Sequence, residues 1–186
     1  MAAPFTLNER EHYFTCLHEA AHIVAVHRSS GWKLSDPLIK FGQLGNLAQA
    51  HFGPRDKDLV WTPEIAREFA IIGFAGYHGQ NLDDHTGVLD GPMSGCEFDF
   101  ERVATQLDAV GLLDEAEVLL AESGQLIKSE QSLVRRVATC IYENGSSTDL
   151  PLSKVLFLLS PATNSGKEIW KRARSWVKFV FRKTAS

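Results

Sequence analysis

The chain has 186 residues, 44% of them hydrophobic and 23% charged, with 7 prolines, 3 cysteines and a formal net charge of -4. That is an ordinary globular composition, with length enough to bury a core as one domain or as one domain with an appendage. The net charge gives no overall reason to expect nucleic acid or an anionic membrane as the partner. The cysteines, Cys16, Cys96 and Cys140, at spacings of 80 and 44, fit neither a disulfide framework nor a paired C-x-x-C zinc ribbon. Reduced thiols in a cytoplasmic protein are the expectation. No run approaches the ~18 apolar residues of a membrane span, and in "MAAPFTLNEREHYF" charged residues precede any apolar run, unlike a signal peptide.

In chain order, "TLNE" at Thr6–Glu9 reads as a capping box that opens a helix from about Leu7 to about Arg28, closed near Ser29, Ser30 and Gly31. "DPLIKFGQLGNLAQAHFGP" alternates short apolar runs with glycines and predicts two strands and a turn. Thr62 as cap and Pro63 at the first helical position start a second helix to about Tyr77. Gly79 to Gly95, rich in glycine, aspartate and histidine, reads as a long loop, which is often functional at such length. "SGCE" at Ser94–Glu97 is a second capping box, for a helix to about Val110. Leu113 to about Tyr142 is one long helix, or two joined near Ser123 and Gly124, with "ENG" as its stop. Shorter helices are expected near Pro151–Leu159 and Lys167–Arg182.

The first helix carries "HEAAH", His18 to His22. Positions i and i+4 lie on one helical face, so both imidazoles can present a ring nitrogen to one ion, while Glu19 stays near enough to reach a water on that ion. This is the H-E-x-x-H arrangement: zinc acidifies the water, the glutamate takes its proton, and a polarised carbonyl is attacked. The bland alternative is two satisfied histidines on a helix face. The run "IVAV" after the motif argues for burial, and buried imidazoles with a carboxylate are costly without a compensating partner such as a metal.

A catalytic zinc usually takes a third protein ligand. Position 28, six after His22, is an arginine, and His27 is off the face, so the third ligand must come from farther along the chain. The candidates are His51, His78, Asp83, Asp84, His85, Glu97 and Asp99. His12 and Cys16 precede the motif and should face elsewhere. Cys96 lies three before Asp99 and could touch the metal as a regulatory thiolate, against the plainer role of a buried inert thiol.

"HEAAH", then "AIIGFAGYHGQ", then "CEFDFERVATQL" resemble, in order and spacing, the peptidase domain of the FtsH-type ATP-dependent zinc metalloproteases. That family carries H-E-A-G-H on a first helix, a glycine- and alanine-rich helix after a β-hairpin, and a later helix whose start reads roughly N-D-L-E-R-A-T. The resemblance covers about Leu7 to Leu159 and implies a mainly helical peptidase that cuts unfolded polypeptide. The family's aspartate is its third zinc ligand, and the match of "DFERVAT" to that motif points to Asp99. A carboxylate in the first turn of a helix is also favoured by the helix dipole.

Ala21 stands where the family has glycine, so the packing here differs by a methyl group, and "GYHGQ" stands where the family has paired glutamates. No G-x-x-x-x-G-K-[ST] occurs in this sequence, so a peptidase domain without the family's ATPase module is the expectation. Such a protein is expected to act on flexible segments, to work with a separate ATPase or as a homo-oligomer, or to have lost proteolysis. The loop from Gly79 reads as a lid beside the metal, with His78 or His85 steadying the tetrahedral intermediate, or as a polar surface loop. An edge strand near Leu38–Phe41 or Leu47–Phe52 could pair with an extended substrate.

"GKEIWKRARSWVKFVFRKTAS" holds seven Lys or Arg against one Glu, with apolar residues at helical spacing. It reads as a basic amphipathic helix that could contact a membrane surface peripherally or pack on the domain. The expectation is thus an α+β chain, predominantly α-helical, with a small β-hairpin between its first two main helices. Residues 1–160 form a zinc peptidase domain and 161–186 the basic helix. Zn2+ is held by His18, His22 and Asp99, with Glu19 activating the water and polypeptide as substrate. The alternatives are an inactive relative that binds peptides or a protein partner, and a metal-dependent hydrolase of non-peptide amides.

Overall fold

The structure, a computed structural model, describes residues 7–41, 48–82, 96–145 and 149–160. Helix α1 (Leu7–Arg28) lies at its centre. From Cys16 to Val26 its side chains are buried on all sides, as a helix apolar right round must be. α1 ends where foreseen: Ser29 donates its N–H to the Ala25 carbonyl at 3.0 Å and its hydroxyl to the Val26 carbonyl at 2.8 Å. Strands β1 (Trp32–Phe41) and β2 (Ala48–Pro54) form the expected antiparallel pair, with Leu34 opposite Phe52 and Ile39 opposite Ala50. The outer edge of β1 is taken by Leu150, whose N–H donates to the Ile39 carbonyl at 3.0 Å and whose carbonyl accepts from Leu38 at 2.8 Å. Among the described residues no strand pairs with the outer edge of β2.

Helix α2 (Pro63–Gln80) is capped by Thr62, whose hydroxyl accepts from the Ile65 N–H at 3.4 Å. It runs past the expected end at Tyr77, so Gly79 and Gln80 are helical and not the start of a loop. The reason is packing: a Cβ on Gly79 would meet Ala21 Cβ and the Leu17 carbonyl oxygen, both at 2.5 Å. This glycine lets two helices touch. It also accommodates the methyl group of Ala21, which stands where the resembled family has glycine. The rest of the expected loop, from Asp83 to Gly95, lies outside the described residues.

Helix α3 (Glu97–Asp108) begins with Cys96 at its cap, which makes no side-chain hydrogen bond to the helix. Thr6 and Ser94, the caps read from the sequence, lie outside the described residues. After a 3-10 turn at Leu113–Glu115 come α4 (Ala116–Ser129) and α5 (Gln131–Asn144). The break falls at Glu130, so the segment is neither the single helix nor the pair joined near Ser123 and Gly124 that the sequence allowed. Those two residues are helical because both pack on α2: Ser123 donates to the Ile71 carbonyl at 2.8 Å, and a Cβ on Gly124 would come within 2.9 Å of the His78 ring. Gly145, with φ of +76°, ends α5 as "ENG" suggested. The short α6 (Ser153–Leu159) closes the described chain, and the expected basic helix at 167–182 lies beyond it.

Of the described residues 68% are helical, and both strands and all six α-helices contribute to one cluster of buried apolar side chains. Among them no helix is long and apolar enough to cross a membrane.

Candidate metal centre

α1 presents His18 and His22 from consecutive turns, both buried, and the first turn of α3 brings Asp99 against them. Asp99 Oδ2 lies 3.1 Å from His18 Nε2 and 3.3 Å from His22 Nε2, and the two Nε2 atoms are 3.0 Å apart. An ion with bonds of about 2.0–2.1 Å in tetrahedral array sets its ligand atoms about 3.3 Å apart, so this triangle is close to the size that a small cation fills. Lone pairs facing one another in a buried site repel unless a proton or a cation lies between them. The donor set therefore fits a metal on both distance and charge.

The orientation of His22 is fixed from behind. Its Nδ1 lies 2.7 Å from the Ile72 carbonyl oxygen, which can only accept, so Nδ1 carries the proton and Nε2 faces the triangle. His18 has its own outer contact, Nδ1 to Cys96 Sγ at 3.7 Å. Both rings are held close to α2 by a missing side chain: a Cβ on Gly76 would sit 2.4 Å from His18 Cε1 and 2.6 Å from His22 Nε2. One turn earlier, a Cβ on Gly73 would meet Val103 Cγ2 on α3 at 2.3 Å. The two glycines seat α3 and the histidine pair on one side of α2.

Burial opposes ionisation of Asp99, yet the imidazoles of His18 and His22 beside it outweigh burial in the metal-free protein and hold the carboxyl well below the usual carboxylate range. Glu19 is in the opposite situation. Burial pushes it up to about 7, His18 and a backbone amide pull it down, and Asp99 adds to the rise. The amide is that of Ala50 on β2, which donates to Glu19 Oε2 at 2.6 Å. Ala50 lies opposite Ile39, whose N–H and carbonyl face Leu150, so the Ala50 amide points to the other edge of the sheet, toward the site.

Of the candidate third ligands, Asp99 joins the histidines and three others do not. His51 lies on β2 outside the cluster, Glu97 is exposed, and His78 Nε2 is bonded to the Leu120 carbonyl at 2.9 Å. That bond turns the His78 Nε2 toward α4. Asp83, Asp84 and His85 lie outside the described residues. Cys96 is fully buried and touches His18 without belonging to the triangle. Burial pushes its thiol up to about 12 in the metal-free protein, helped by Asp99, Glu97 and Glu19, which favours the neutral form. Cys16 is a core residue, and His12 packs its ring on Tyr142 at 5.3 Å.

Sequence reasoning missed the Ala50 amide and the Ile72 carbonyl, since backbone groups leave no side-chain signature. Gly73, Gly76 and Gly79, three apart, were a usable signal of close approach. No protein-family model, no curated protein and no solved structure matches this chain.

Proposed function

We propose that the chain is a zinc-dependent endopeptidase resembling the peptidase domain of FtsH-type proteases, acting on unfolded or flexible polypeptide. The observation that carries this reading is the convergence of His18 Nε2, His22 Nε2 and Asp99 Oδ2 from two helices, with the buried Glu19 one residue from a ligand. His18, His22 and Asp99 would hold the ion, leaving a fourth position open. A bound zinc supplies an acidified water and a Lewis acid for the scissile carbonyl.

The chain's own residues do the rest. Glu19, one residue from a ligand, accepts the proton of the attacking water and returns it to the departing amine. The outer edge of β2 offers backbone groups beside Glu19, and an extended peptide can add to such an edge as a further strand. Folded substrates cannot meet that demand. A separate ATPase or self-assembly would extend the range of substrates or restrict access.

One observation favours a second reading, an inactive module that binds peptides or a protein partner: Glu19 Oε2 is already engaged by the Ala50 N–H. The test begins with the metal content of the purified protein beside His22→Ala and Asp99→Ala. About one zinc per chain, lost in both variants, supports the three-ligand site. Hydrolysis of an unstructured protein that disappears in Glu19→Gln with zinc retained supports the peptidase. Zinc without hydrolysis supports the binding module, and a protein that takes up no zinc sinks the peptidase and leaves the binding module.

A further inference from the structure

A metal-binding imidazole needs its far nitrogen held, or the ring turns and its lone pair is misdirected. His22 has the Ile72 carbonyl at 2.7 Å for this purpose. On His18 the far nitrogen, Nδ1, meets Cys96 Sγ at 3.7 Å, a length that suits the larger sulfur atom. We infer that Cys96 is a positioning residue of the metal centre, its sulfur accepting the Nδ1–H of His18 and so aiming Nε2 at Asp99 and His22. The inference rests on the zinc reading given above and deepens it.

The placement of Cys96 explains how one helical turn does two things. Cys96 is the residue before α3, its carbonyl accepts from the Phe100 N–H at 3.0 Å, and Asp99 follows three residues later. Docking that turn onto α1 therefore delivers the third ligand and the outer partner of the first ligand together. Chemistry explains why sulfur suits the place. A carboxylate is the common outer partner of a zinc-bound histidine, but here it would be a third buried acid beside Glu19 and Asp99. A thiol accepts weakly and adds no charge.

The test uses the full chain with zinc or cobalt(II) as the probe. Zinc affinity is measured by competition with a chelator for wild type, Cys96→Ala and Cys96→Ser, beside thermal unfolding of each protein with metal removed. Cys96→Ala should bind zinc about 10-fold more weakly while melting, metal-free, near the wild-type temperature, and Cys96→Ser should recover part of the affinity because a hydroxyl also accepts. Two-bond proton–nitrogen spectra of the zinc-loaded wild type should show the His18 proton on Nδ1, a readout that needs no variant to fold. Unchanged zinc affinity in Cys96→Ala, or a His18 proton on Nε2, overturns the inference. So does a thiolate-to-cobalt charge-transfer band that vanishes in Cys96→Ala, which would make Cys96 a ligand. A wild type that takes neither ion overturns the zinc reading itself, and is told apart because it fails before any variant is compared.

Discussion

The two ends of α2 pack by opposite means. Toward its start, Phe69 lies in a cluster of rings, with centroids 5.3 Å from Trp32, 5.6 Å from Trp61 and 6.4 Å from Phe52, and the Arg102 guanidinium over its face at 5.8 Å. Toward its end, Gly73, Gly76 and Gly79 leave no side chain at all, and α3, the two histidines and α1 close directly on the backbone. The aromatic end fills space with large side chains; even the buried Trp32 Nε1 there has no hydrogen-bond partner among the described residues. The glycine end gives up that apolar contact for distances held to tenths of an ångström. Stability is therefore concentrated at one end and the geometry of the site at the other.

The largest effect that tests this division is on folding. Phe69→Ala removes a buried ring and should cost about 3–5 kcal/mol in denaturant unfolding, while the protein that remains folded binds zinc with wild-type affinity. A parallel loss of zinc would mean that the two ends are one cooperative unit.

Next is the pH dependence of the metal-free protein, in which Glu19 at the glycine end titrates against part-buried histidines. Glu19 is raised from 4.5 to about 7, so the folded state holds a proton that the unfolded state has released. Stability from this group is present below pH 4.5 and is lost as pH rises to about 7, by roughly 3 kcal/mol. Asp99, held low, acts in the other direction, its contribution being lost only as pH falls below 3.8. Burial lowers His12, His27 and His78, whose contributions rise with pH and oppose that of Glu19, so in melting with a chelator between pH 4.5 and 7.5 stability should rise more with pH in Glu19→Gln than in wild type. An equal slope in that variant would place the titrating group elsewhere.

Gly76→Ala follows. Its Cβ would need the space of His18 Cε1 and His22 Nε2, so zinc affinity should fall at least about 100-fold, as for loss of a supporting group at a metal site. Far-UV circular dichroism should stay helical. Wild-type affinity in this variant would show that the rings can withdraw from α2, and the contrast between the two ends would fail.

The same contrast explains what could be read from the sequence. The span of α1, the strand pair and the start of α2 were legible because local rules set them: a terminating glycine and serines, alternating apolar runs, a threonine before a proline. His18 and His22 were legible because helical period alone puts them together. Asp99 was not, since 77 positions separate it from His22 and only resemblance selected it among seven candidates. The misreadings share one cause. Gly79 was taken as a breaker and Gly124 as one possible break, but each faces a neighbouring helix, and tertiary contact overrode their local preference.

The smallest effect concerns Ala21 and Gly79, where α1 and α2 cross. Ala21→Gly should cost about 1 kcal/mol from helix propensity and leave zinc binding unchanged. Gly79→Ala should cost about 1–3 kcal/mol as overpacking. If the crossing required only one methyl group, on either helix, the double variant would restore wild-type stability. It should not, because a Cβ at position 79 would lie 2.5 Å from the Leu17 carbonyl oxygen as well as from Ala21 Cβ, and deleting the methyl relieves only the second clash. The double variant should recover part of the loss in thermal unfolding and remain below wild type. Full recovery would show that the α1 backbone can move there, and the glycine end would then be less rigid than the ring cluster it is set against.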